Sequence, residues 1–115
     1  MRSAFTLAIL AATISAQAAD LPYDPALEAR QRTVIGLYVR TRQCLGDAAR
    51  AIMRQGVKEE RIVKHFMVSM CGDPFYGYLR RDGMPEEQAR NTLVEMTETA
   101  LYEDVLHQPR PRPGQ

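Results

Sequence analysis

The stretch CLGDAARAIMRQGVKEERIVKHFMVSMC, residues 44–71, decides the fold. Its ends, Cys44 and Cys71, are the only cysteines in the chain and lie almost equally far from the Gly56-Val57 turn. If helices run into and out of that turn, the two sulfurs come to the same height on neighbouring helices. A bond between them then closes an antiparallel helical hairpin. Closing that segment stabilises by roughly 3.5 kcal/mol in the chain-entropy picture, against a small-domain stability of about 5–15 kcal/mol. A redox-active pair is disfavoured, because there is no Cys-x-x-Cys and neither sulfur has an evident activating neighbour.

Apolar periodicity supports helices on both sides of the turn. Val34, Leu37, Tyr38, Thr41, Leu45, Ala48, Ala49 and Ile52 share one face at helical spacing, while Arg40, Gln43, Asp47, Arg50 and Arg54 take the other. This helix can start as early as Pro25, with Asp24 as its cap, and Gly56 stops it. The next begins near Lys58, with Glu59 and Glu60 in its first turn, where acids suit the helix dipole. Its expected face is Ile62, Val63, Phe66, Met67 and Met70, with Cys71 at the edge.

Further on, Gly72-Asp73-Pro74 reads as a terminator, a cap and the first turn of a new short helix ending near Gly83. A single kinked helix is the alternative. Met84-Pro85-Glu86-Glu87 opens a last helix to about Leu106, with Ala89, Leu93, Met96 and Ala100 as its inner stripe. The fold expected is all-α: a small bundle of three or four helices built on a disulfide-closed antiparallel helical hairpin.

Outside the bundle, the N-terminus has the pattern of a cleaved signal peptide over 1–18. Ala4 to Ile14 is apolar apart from threonine, and Ala16 and Ala18 suit an A-x-A cleavage site. The apolar run is shorter than the roughly 20 residues that span a bilayer, so no stable membrane span is expected after cleavage. A single helical domain over 19–107 and a disordered Pro/Arg tail over 108–115 follow. The leader favours the bacterial periplasm, with secretion outside the cell as the alternative.

Charge narrows the function classes. The chain has 15 Lys plus Arg and 14 Asp plus Glu, and removing Arg2 with the leader leaves a net charge near zero. Neutrality argues against nucleic acid, whose binding rests on neutralising phosphates. Residues 28–64 hold nine basic and four acidic side chains, whereas residues 82–104 hold seven acids and only Arg90 as a base. The last helix is expected to complement the first hairpin within one molecule, or else the two stretches form a dipolar surface that steers a charged partner.

Candidate chemistry is sparse. His65, Met67 and Met70 concentrate soft ligands suited to copper(I), but methionines at helical spacing usually fill core gaps. Ser69 with His65 lacks an evident oxyanion hole or orienting carboxylate. Phe75, Tyr76 and Tyr78, followed by Arg80 and Arg81, have the composition of a protein-binding hot spot. The sequence therefore reads as a non-catalytic exported protein without a cofactor, monomeric or weakly self-associating, that binds another exported or envelope protein. The alternatives are copper(I) binding and an acid-responsive chaperone.

Overall fold

The computed structural model describes residues 22–111. The expected leader, the first residues of the expected domain and the last four of the expected tail lie outside that range. The described residues fall in two compact units, one up to Gln31 and one from Arg32 onward. Three α-helices are described: α1 (Pro25–Arg54), α2 (Glu60–Arg81) and α3 (Glu86–Glu98), the last continued by a π-helical segment, Thr99–Val105. No strand occurs among the described residues.

In the first unit, α1 starts as its residues dictate. The Asp24 carboxylate accepts from the amides of Ala26 at 3.0 Å and Leu27 at 3.4 Å, and Pro25 sits in the first turn, where its missing N–H costs nothing. The Tyr23 hydroxyl donates to the Glu28 carboxylate.

In the second unit, α1 ends at Arg54, and Gly56 follows with φ +95°, a conformation glycine adopts without steric cost. The Cys44–Cys71 disulfide joins α1 to α2 with a Cα–Cα distance of 5.8 Å. Cys44 lies on the exposed flank of α1, whereas Cys71 is buried at 5% exposure. The bundle is therefore closed at a seam, as the spacing of the two cysteines requires.

The expected break at Gly72-Asp73-Pro74 is absent, and α2 runs through it to Arg81. Two observations account for this. Proline at position 74 leaves the Met70 carbonyl without its usual helical donor, but Met70 and Pro74 are both exposed, on the side that water reaches. Gly72 is buried because α3 crosses there: a Cβ at Gly72 would lie 3.0 Å from the Leu93 side chain and 3.1 Å from that of Val68. Its glycine serves close approach, not termination. The terminating glycine is Gly83, at φ +96°, in a Schellman turn where the Met84 amide donates to Leu79 O at 3.0 Å and the Gly83 amide to Arg80 O at 3.1 Å.

The core face of α2 also differs from the expected one. Val63, Met67, Cys71, Phe75 and Leu79 are buried, while Ile62 and Met70 are 44% and 63% exposed. Buried positions thus recur every four residues, a line that advances by about 40° at each step around a helix of 3.6 residues per turn. Cys71 lies in the middle of that line instead of at its edge.

Ala89, Leu93, Met96 and Ala100 are all buried as expected. Past Glu98 the helix widens into π geometry, with the Leu106 amide donating to Leu101 O at 2.9 Å, five residues back. The wider turn lets three consecutive side chains, Ala100, Leu101 and Tyr102, enter the core. His107, at φ +54°, closes the segment, and the Gln108 amide returns to Tyr102 O at 2.8 Å. No regular structure follows through residue 111.

Candidate functional site

Above the disulfide, α1 presents an apolar face that the bundle does not cover. Val34 is 36% exposed, Ile35 63%, Tyr38 38% and Val39 46%. Positions i, i+1, i+4 and i+5 are neighbours on a helix surface, so the four side chains form one stripe. Tyr38 anchors it by packing edge-on against buried Phe75, with ring centroids 6.4 Å apart. The stripe borders a cleft of about 450 Å³ lined by Tyr38, Val39, Arg42, Gln43, Gly46, Asp47, Arg50 and Asp104.

Charged groups fix the walls of this cleft. Arg42 donates twice to the Asp104 carboxylate, from Nε at 2.6 Å and from Nη2 at 2.7 Å, tying α1 to the π-helical segment. Arg50 donates to the Asp104 backbone carbonyl at 3.1 Å and pairs with Asp47 at 3.3 Å. A Cβ at Gly46 would meet the Arg50 guanidinium at 3.4 Å and Val105 at 3.8 Å, ordinary contact distances, so this wall of the cleft has room for a methyl group. The basic and acidic stretches thus meet within the molecule at this point. From the middle of the π-helical segment, Tyr102 donates to Glu60 at 2.5 Å, and Lys64 lies 5.8 Å from its ring centroid.

These contacts set a pH dependence. The hydrogen bond from Arg42 holds the Asp104 carboxyl below its usual value, helped by the charges of Arg42, Arg50 and His107 and opposed by burial. A depressed acid contributes stability that is complete above the unfolded carboxylate value, about 4, and is lost as pH falls through the lower folded value. The Asp104→Asn variant is therefore expected to show a flatter loss of stability below pH ~4 than the parent. The pair contributes about 1 kcal/mol after solvent screening, and urea midpoints measured from pH 7 to 2 read the difference. Tyr102 titrates in the opposite sense. Burial first, then the bond to Glu60, push it up to about 12, so its contribution is complete below the unfolded value near 10 and disappears as pH rises through the folded one.

The aromatic and arginine segment singled out in the sequence is largely committed to α2 itself. Phe75 is 3% exposed and belongs to the core, which corrects its assignment to a partner surface: it falls on the buried line of α2. Tyr76 and Tyr78 are half-buried. Arg80 is exposed but donates to Met84 O at 2.8 Å, holding the turn after α2. Arg81, also exposed, lays its guanidinium over Gly77, about where a Cβ would meet it at 3.5 Å.

The soft ligands are separated rather than gathered. Met67 is fully buried, Met70 is 63% exposed, and His65 is exposed on α2. Met67 and Met70 therefore do not share one surface, since the buried line of α2 passes through Met67 and leaves Met70 on the water side. Among the described residues, no three His, Cys, Asp or Glu side chains cluster as metal ligands.

Periodicity alone misses the uncovered apolar face of α1. It placed Val34 and Tyr38 on the buried face and left Ile35 and Val39 on neither face. Two β-branched apolar residues on the flank of a helix were the available signal, because a simple two-faced helix has no use for them there. No protein-family model, no curated protein and no solved structure matches the chain.

Proposed function

We propose that this is a small exported, non-catalytic helical protein of the periplasm that binds another protein through the Val34, Ile35, Tyr38 and Val39 face of α1. The observation that carries the reading is that stripe: apolar, contiguous, anchored on the core through Tyr38, and bordering a cleft. Exposed apolar patches of this kind mark interaction sites. An aromatic side chain beside arginines at the patch matches the composition of binding hot spots.

Export is supported by the leader pattern and by the disulfide, a bond that persists in oxidising compartments. No helix among the described residues is long and apolar enough to cross a membrane. The copper(I) reading is not carried forward, because its two thioethers lie on different surfaces.

Photo-cross-linking in the host cell tests the proposal. A photoreactive phenylalanine analogue at Val39 is expected to trap a protein adduct of discrete mass. The same analogue at Met70, which is more exposed than Val39 but lies on α2, is expected to trap none. Equal adducts at both positions, or none at Val39, would remove the assignment of this face.

A further inference from the structure

The two halves of the disulfide stand in different surroundings. Cys44 is exposed on the flank of α1, whereas Cys71 is 5% exposed and belongs to the core cluster with Met67 and Phe75. A groove of about 490 Å³, lined by Arg40, Gln43, Asp47, Ala48 and Met70, opens onto the bond. We propose that Cys44 is a thiolation site: a low-molecular-weight thiol enters the disulfide at Cys44 Sγ while the chain is folded. The product is a mixed disulfide on α1 and a free thiol at Cys71.

Access selects the sulfur. Thiol–disulfide exchange depends on which sulfur is attacked and on how openly it can be reached. The attacking sulfur comes in line with the bond, from the side of its target that faces away from the leaving sulfur. At Cys71 the core cluster closes that approach, and at Cys44 the groove leaves room for it. The charged side chains of the groove, Arg40 and Asp47, are opposite in sign, and Arg50 pairs with Asp47. A thiolate therefore meets no field of like charge. Met70, 63% exposed and unbranched, can swing aside for it.

The exchange balances without an oxidant. The incoming thiolate forms a bond to Cys44 Sγ as the Cys44–Cys71 bond breaks, and the electron pair goes to Cys71 Sγ, which takes a proton from water. No activating neighbour in the chain is needed, because the nucleophile is the incoming thiolate. The adduct sits on the exposed flank of α1, so nothing buried has to move for it. Cys71 remains as a neutral thiol, a small apolar side chain suited to the place it already fills. Attack by the Cys71 thiolate on Cys44 Sγ expels the small thiol and restores the bond. The modification is thus reversible, and it releases the covalent tie between α1 and α2 while leaving their packing in place.

The test uses the oxidised chain and reduced glutathione at mildly alkaline pH, folded in one arm and unfolded in concentrated urea in the other. Samples quenched early with acid are digested with pepsin, and mass spectrometry counts the glutathione adducts at each cysteine. In the folded arm, adducts at Cys44 are expected to exceed those at Cys71 by at least about tenfold. In urea the two are expected to approach parity, because the bias belongs to the fold. The initial rate in the folded arm is expected to be proportional to glutathione and unchanged by urea well below the unfolding midpoint.

Parity in the folded arm, or an excess at Cys71, overturns the site. So does an absence of folded-state adduct at glutathione concentrations that modify the unfolded chain. A folded-arm rate that climbs in step with the unfolded fraction also overturns it, since the thiol would then enter only after the bundle opens.

Discussion

Replacing Cys44 and Cys71 together by alanine is expected to lower the unfolding free energy by roughly 3.5 kcal/mol. The disulfide closes the segment that contains the whole α1–α2 turn, so in the reduced chain the two helices must be brought together by packing alone. Across that seam, the non-covalent ties include the Tyr38–Phe75 ring contact and the burial of Leu45 and Ala49. For a domain of this size, the loss corresponds to a melting temperature lower by roughly 15–25 °C. Urea unfolding of the oxidised chain and the double variant, followed by circular dichroism, measures it. Equal midpoints would mean that packing alone fixes the hairpin.

The second large effect separates two methionines that stand three residues apart. Met67 is fully buried, and Met67→Ala removes most of a side chain from the closed core cluster, at an expected cost of about 2–5 kcal/mol. Met70 is 63% exposed, and Met70→Ala is expected to change stability by no more than about 0.5 kcal/mol. The contrast follows from the winding of the buried line around α2. Comparable losses for the two variants would restore the shared face that helical periodicity suggests.

How far the fold was legible depended on whether local or tertiary forces decided each feature. The hairpin could be read because a disulfide between helices depends on residue counts from a turn, and Gly56 marks that turn plainly. The start of α1 was legible for a similar reason: Asp24 and Pro25 are local signals that no distant contact opposes.

Gly72-Asp73-Pro74 carried an equally strong local signal and was overridden. Its glycine is needed where Leu93 of α3 touches α2, and its proline faces water, where the carbonyl it frees can be solvated. Nothing near those residues in sequence announces the contact from position 93. The core line of α2 was illegible because it steps by four and drifts, so no fixed face at 3.6 residues per turn contains it.

The π-helical segment had no evident local signature. Its cause is tertiary: Ala100, Leu101 and Tyr102 all enter the core while Asp104 reaches Arg42 and Tyr102 reaches Glu60. An ordinary α turn would carry one of three consecutive side chains away from the core. The intramolecular meeting of basic and acidic stretches was legible from their separation along the chain. That it would rest on Arg42, Arg50 and Asp104 was not, because the lengths of two helices decide which residues come level.

The candidate site was the least legible part. Phe75, Tyr76 and Tyr78 stand out by composition, yet composition does not say which face of a continuous helix they occupy. Val34, Ile35 and Val39 look like core residues, and only the arrangement of the other helices leaves them uncovered.

Methyl resonances give the most direct test of α1 as the working surface. The partner recovered by the Val39 cross-link is added to isotopically labelled oxidised chain, and the valine and isoleucine methyls are followed. Shifts concentrated at Val34, Ile35 and Val39, with Val68 and Val94 unmoved, are the expected result. Shifts at Val68 and Val94 with the α1 methyls unchanged would contradict it and place the contact on the far side of α2 and α3.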